Sequence, residues 1–245
     1  VKITIVTLGS RGDVQPYIAL GMELKNRGHE VRLASFTNYR DFVSEYGLEF
    51  LPISGDSKSL MNAAFSRKNL LGSVDYIKPI IADVFDDIYN ACVGSDAIIY
   101  HQMALPAQYA GEKMGIPCIQ AFTFPMHKTG HMPVWLIPPI NMGSKVNSLT
   151  YKMSDYALNL ISREYLNPFR KKLGLKKLSK LTGVFESASN DCLMTLYGYS
   201  PTLFPKPFDW NENIHVTGSW FLDKKDEWTP PKNLSDFLED GEPPV

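Results

Sequence analysis

The chain has 245 residues, 44% hydrophobic and 21% charged, with a net charge of −1 at pH 7. That is length enough for one large or two small domains around a sizeable core. The balanced charge argues against nucleic acid as a main partner, and no run approaches the ~20 apolar residues of a membrane span. Three scattered cysteines, Cys92, Cys118 and Cys192, lack CxxC spacing and suit reduced thiols rather than a disulfide frame or zinc site. Val1 leads at once into an apolar strand, unlike a secretion signal, so a cytoplasmic protein is expected.

The apolar run Ile3 to Thr7 reads as a buried strand. Pro16 suits a first helical position, and Tyr17, Leu20 and Leu24 carry helical spacing up to Gly28. A second strand is expected at Val31 to Ser35, a helix at Tyr39 to Tyr46 ended by Gly47, and a third strand at Leu48 to Ile53. A long helix from about Asp75 to Val93 precedes the strand Ala97 to Tyr100. A helix from Ala104 to Met114 and a strand from Ile116 to Phe122 follow. Strands that are apolar at nearly every position, alternating with helices, predict an α/β fold: a doubly wound parallel sheet covered on both faces.

Residues 123–150 carry Pro125, Pro133, Pro138, Pro139 and Trp135, and read as an irregular excursion. Residues 151–173 look helical, and two more strands are expected at Cys192 to Leu196 and Ile214 to Gly218. The tail from Asp223 to Val245 is rich in Pro and charge, with one helical stretch near Leu234 to Leu238, and reads as a linker.

The first turn, GSRGD, packs two glycines, a cation and an anion between a strand and a helix. Ligands of open α/β sheets bind beyond the carboxyl ends of the strands, so the turn is a candidate site. It is neither GxGxxG nor GxxxxGK[ST], and the second strand ends VRLASF with no ribose-binding acid, which disfavours a dinucleotide. Asp13 reads either as a helix cap or as a general base whose pKa is raised by partial burial.

The stretch from GSRGDVQPYIALG to FLPISGD resembles the N-terminal domain of GT-B glycosyltransferases. It is most similar to the sterol 3-beta-glucosyltransferases and, more loosely, to the glycopeptide-antibiotic glycosyltransferases. IPCIQAFTFP, LYGYSPTLFPKPFDW and HVTGSWFLD resemble the sterol group too, in order along almost the whole chain. The resemblance implies the Rossmann-like N-terminal half of a GT-B fold. Residues 1–222 would be an acceptor-binding domain and 223–245 an interdomain linker, with the nucleotide-sugar domain absent from this chain. It implies inverting transfer of a hexose from UDP-glucose to a lipophilic hydroxyl such as a sterol's, with no metal and no cofactor beyond the UDP-sugar. An isolated N-terminal half would then be inactive.

By the same resemblance Asp13 is the catalytic base, and Ser10, Arg11 and Gly12 face the donor diphosphate. Arg11 reads equally as an exposed structural cation. His101, ending a strand in YHQ, could orient Asp13, compete with it as base or line the pocket. Phe124, His127, His131, Trp135 and Gln102 are the candidate acceptor contacts. His127 and His131 are four apart without a third ligand nearby, so no metal site is expected. The apolar helix after residue 147 is open between pocket and core. Aromatic side chains in 131–146 suggest a peripheral membrane contact as well. The competing reading is a non-catalytic module that binds a lipophilic ligand or docks a separate donor subunit.

Overall fold

The computed structural model describes residues 1–59, 62, 78–138, 140, 142–179, 183–185, 192–223 and 229–241. The strands are β1 (Lys2–Val6), β2 (Glu30–Phe36), β3 (Glu49–Ile53), β4 (Ala97–Tyr100), β5 (Cys118–Phe122), β6 (Met194–Tyr197) and β7 (Ile214–Val216). They form one sheet in the order β3-β2-β1-β4-β5-β6-β7. Every pairing is parallel, with Ile3 beside Val31 on one side and Ala97 on the other. Parallel strands need crossovers, supplied by α1 (Arg11–Asn26), α2 (Arg40–Ser44), α3 (Ile81–Cys92), α4 (Pro106–Met114) and α5 (Ser144–Lys172). A last helix, α6 (Lys232–Glu239), lies in the tail.

Alternate side chains of each strand feed opposite layers. A Cβ on Gly21 of α1 would touch Ile5 and Val31. Thr4 and Arg32 point the other way, where the buried Arg32 guanidinium donates to Thr4 Oγ1, Ser95 Oγ and the carbonyls of Ala91 and Val93 at the end of α3. The fold is the doubly wound α/β sheet expected from the apolar strands.

Some boundaries move. Helix α1 begins at Arg11, five residues before Pro16, because Ser10 and Asp13 cap it. Pro16 then sits inside the helix and costs one ladder bond, that to the Gly12 carbonyl. Helix α5 begins at Ser144 rather than 151. The start expected for α3 at Asp75 lies outside the described residues.

Burial also sorts the thiols. Cys92 and Cys118 are 0% and 4% exposed, and Cys192 is intermediate. Burial pushes the Cys118 thiol up to about 12 and Cys92 higher still. A thiol reagent at pH 8 should therefore titrate one fast group in the native chain and three after denaturation. Fast reaction of all three would contradict this packing.

Candidate functional site

The sheet order reverses between β1 and β4, so the loops leaving these adjacent strands diverge and open a crevice at the carboxyl edge. Asp13 follows β1 and His101 follows β4. Chain order separates them by 88 positions; the topology makes them neighbours.

Asp13 is the third residue of α1. Its Oδ2 accepts from Ser10 N at 2.7 Å and Ser10 Oγ at 2.8 Å, as an acidic side chain does in a capping box. Oδ1 faces His101 Nε2 at 3.3 Å. This is ion-pair distance, yet among the described residues Nε2 has no partner that meets hydrogen-bond geometry. The contact is a close electrostatic approach rather than a formed hydrogen bond. The Asp13 side chain is 29% exposed and His101 is 0% exposed, so Asp13 lines the crevice and His101 stands behind it.

The ring of His101 is fixed from two sides. Its Nδ1 accepts from Met103 N at 3.3 Å, which leaves the neutral ring's proton on Nε2, toward Asp13. Tyr17 packs edge-on against it at 5.5 Å and donates its hydroxyl to the Ala121 carbonyl. Trp220 lies on Tyr17 in turn, at 5.7 Å. The backbone is tied as well: Thr7 Oγ1 donates to the Asp13 carbonyl, and Tyr39 OH to the Gly9 carbonyl at 3.4 Å.

Burial raises the Asp13 pKa, but the facing His101 and the Ser10 donors outweigh it and hold the carboxyl below its ordinary value. The carboxylate activated by burial that the sequence suggested is not what is built. This one is ionised, oriented and partly open to solvent.

Gly9 makes that placement possible. It has φ +134°, and a Cβ there would lie 2.4 Å from Asp13 Oδ2. Gly9→Ala should cost about 1–3 kcal/mol in strain and push the carboxylate off its position. A thermal melt alongside a transfer assay checks this: an unchanged melt with unchanged activity would contradict the tight packing of Gly9 on Asp13.

The other expected residues fall into separate groups. Ser10 is spent on Asp13. The Arg11 guanidinium lies over the Phe42 ring at 4.6 Å and donates to Gln15 Oε1, turned toward α2. Gly12 is exposed, with only Ser10 Oγ at 3.7 Å from where a Cβ would sit. Gln102 is 8% exposed, with its Oε1 buried and lacking a hydrogen-bond partner among the described residues.

Phe124 packs on Trp135 at 5.6 Å, and the exposed His131 on Phe208 at 4.7 Å. His127 is bound to Tyr197, a residue that sequence reasoning gave no role. Tyr197 OH accepts from Met126 N and His127 N at 2.9 and 3.0 Å and contacts His127 Nδ1 at 2.7 Å. With both its lone pairs taken, the hydroxyl must donate to Nδ1, leaving the His127 proton on Nε2. Trp210 stacks on Tyr197 at 4.9 Å. Burial lowers the His127 pKa to about 4.

The excursion carries no helix or strand among its described residues before Ser144, as expected, but it is tethered. Asp209 accepts from Thr129 Oγ1 and Gly130 N, and the fully buried Asn147 binds the Gly130 carbonyl and Met142 N. A depression of about 240 Å³ lined by Gln108, Gly111, Glu112, Gly115, Ile116 and Cys118 lies at the amino end of β5, the opposite edge from Asp13. Among the described residues, no three His, Cys, Asp or Glu side chains come together as a metal site. No helix among them is long and apolar enough to cross a membrane.

Residues 3–133, more than half the chain and inclusive of both Asp13 and His101, match the model of the glycosyltransferase family 28 N-terminal domain. The chain belongs to this family. A sterol 3-beta-glucosyltransferase of Neurospora crassa is 35% identical to this chain over 245 residues, and one of Cryptococcus neoformans 36% over 251. Each alignment covers 97% of this chain but 16% of the relative, so the chain spans about a sixth of their length. In fold, the family 28 chain is similar to the glycotransferase of kitacinnamycin, with a TM-score of 0.64 at 20% identity. That match covers 94% of this chain and 55% of the other. CalG4, the calicheamicin glycosyltransferase, gives 0.61 at 16% identity, covering 94% and 54%. The fold is thus that of GT-B glycosyltransferases.

Proposed function

We propose that this chain is the acceptor-binding half of an inverting, UDP-sugar-dependent glycosyltransferase that transfers a hexose to the hydroxyl of a lipophilic acceptor such as a sterol. Residues 1–222 form the acceptor domain and 223–245 the linker, and the UDP-sugar is held mainly by residues outside the chain. The observation that carries the reading is Asp13: an ionised carboxylate, clamped by Ser10 and faced by His101, yet partly open at the crevice where the strand order reverses.

The sterol glucosyltransferase relatives favour glucose as the sugar and a sterol as the acceptor. The acceptor oxygen attacks the anomeric carbon as the bond from that carbon to the diphosphate breaks, and the diphosphate leaves with the electron pair. Asp13 takes the hydroxyl proton. A carboxylate held below its ordinary pKa is a weak base toward a neutral alcohol, so the proton moves late, once charge has developed on the oxygen. His101 has no exposed surface and acts on Asp13 rather than on substrate, as a positioning residue. Arg11 and Gly12 offer their backbone N–H groups to the diphosphate, Ser10 being committed to Asp13; the Arg11 side chain would have to leave Phe42 to join them. Gln102, Phe124, His127, His131 and Trp135 bound the acceptor side.

The test is the mass of the product made by the full-length natural polypeptide from UDP-glucose with a panel of sterols and apolar phenols. A gain of one hexose on an acceptor supports the reading. Absence of product with every acceptor overturns it in favour of a binding module.

A further inference from the structure

The imidazole of His101 is oriented by packing more than by hydrogen bonds. Its Nδ1 takes one donor, Met103 N at 3.3 Å, and its Nε2 approaches Asp13 Oδ1 at 3.3 Å without a formed bond. The tilt of the ring is set by Tyr17, whose ring stands 5.5 Å away and nearly perpendicular, at 86°. Tyr17 is itself held at two points. Its hydroxyl donates to the Ala121 carbonyl, and Trp220 meets its ring at 81°. Burial and the Asp13 charge raise the Tyr17 pKa, so Tyr17 stays a neutral prop. Asp13 thus meets Ser10 from its own turn, His101 from the end of β4 and a neutral Tyr17 from α1.

Trp220 comes from far along the chain, in the segment 217–222 that follows β7. Gly218 has φ +85°, a turn that glycine permits. Beyond it Trp220 and Leu222 pack on the main core, while Phe221 between them is 78% exposed. The face of the indole covers Gly198, just after β6: a Cβ there would lie 2.8 Å from Trp220 Cδ2, 2.9 Å from Cε3 and 3.0 Å from Cε2. Trp220 Nε1 donates to Thr217 Oγ1 at 2.9 Å, and Thr217 donates through N and Oγ1 to the Tyr197 carbonyl. A line of contacts therefore crosses from β6 to the crevice, through Gly198, Trp220, Tyr17 and His101 to Asp13. Trp220 and Tyr17 are pinned by hydrogen bonds; the ring between Tyr17 and Asp13 is not.

We propose that Trp220 is a positioning residue for sugar transfer, and that the segment 217–222 is a strap holding the His101 ring toward Asp13 through Tyr17. The inference rests on the base role proposed for Asp13. Trp220 acts through His101, by fixing the angle at which Nε2 faces the carboxylate.

The test uses the full-length protein with Trp220→Leu, Trp220→Phe and Gly198→Ala. Gly198 lies outside the left-handed region, so its alanine disturbs the contact with the indole rather than the backbone. Phe169→Leu is the control, matched for melting temperature. It loosens α5 against Phe85 of α3, on the sheet face opposite α1. Trp220→Leu should lower kcat about 10- to 100-fold, the effect of a small misplacement, with KM for both substrates little changed. The acid limb of its pH–rate profile should move upward, because Asp13 loses the influence of an aligned His101. Trp220→Phe should recover most of the rate, and Gly198→Ala should shift the limb in the same direction as Trp220→Leu. In a His101→Ala background, Trp220→Leu should move the limb no further.

A second readout needs no turnover. Hydrogen–deuterium exchange at the His101 ring carbon Cε1, followed by mass spectrometry, should quicken in Trp220→Leu and not in Phe169→Leu. An unmoved limb with unchanged exchange, equal shifts in the control, or an undiminished effect of Trp220→Leu without His101 would overturn the proposal. Should Trp220→Leu fail to fold, Gly198→Ala makes the same comparison. Absence of transfer by wild type would count against the glycosyltransferase reading alone, and exchange at His101 would still judge the strap.

Discussion

Asp13→Asn in the full-length protein is expected to lower kcat/KM for sugar transfer by about 100-fold or more, with little change in folding. The substitution keeps shape and leaves an acceptor oxygen for Ser10, so the start of α1 survives. It removes the proposed proton acceptor and the charge facing His101. Because His101 and Ser10 hold the Asp13 pKa below the ordinary carboxylate value, protonation of Asp13 should not limit wild-type activity between pH 5 and 7. His101→Ala removes one of these influences, so the acid limb of the pH–rate profile should move upward along with a fall in kcat. A merely structural role for His101 would lower the melting temperature and leave the acid limb in place. Undiminished transfer by Asp13→Asn would remove Asp13 from the base role.

Tyr197→Phe should destabilise the chain by about 2–3 kcal/mol, large for the loss of one oxygen. That oxygen accepts from Met126 N and His127 N and donates to His127 Nδ1. Its removal strands partly buried backbone donors, each costing about 1–3 kcal/mol if left unpaired. The same site gives a pH dependence. His127 has its pKa lowered from 6.5 to about 4, so between these values the unfolded chain binds the extra proton. Its contribution to stability is full above pH 6.5 and is lost as pH falls toward 4. Urea melts of wild type and His127→Gln at pH 7 and pH 5 check the sign: the wild-type loss should exceed that of the variant. Equal losses would place the acid sensitivity elsewhere.

The strands were legible because a parallel sheet covered on both faces demands apolar residues at nearly every position, as in ITIV and AIIY. Asp13 was legible too, as an acid in a strand-to-helix turn. Its contact with His101 was legible only as one of three open roles, since it depends on β1 and β4 becoming neighbours, a fact of topology rather than of spacing. Only the placement of both residues just after strands hinted at it. The Ser10-x-x-Asp13 pattern could have set the start of α1, but Pro16 drew attention instead. Helix α5 misled for a different reason. Its apolar residues were weighed between pocket and core, whereas long-range bonds to Asn147 and Asn159 put the amides inside and Val146, Leu149, Met153, Tyr156 and Leu160 outside. Tyr197 passed unnoticed because the strand was expected to end at Leu196, and its role shows only in its hydroxyl partners.

The most direct measurement is the anomeric configuration of the glycoside formed from UDP-α-glucose by the full-length protein, read by proton NMR. Direct displacement with Asp13 as base predicts a β-linked product. An α-linked product would contradict it, because retention requires a different mechanism from one attack on the face opposite the leaving diphosphate.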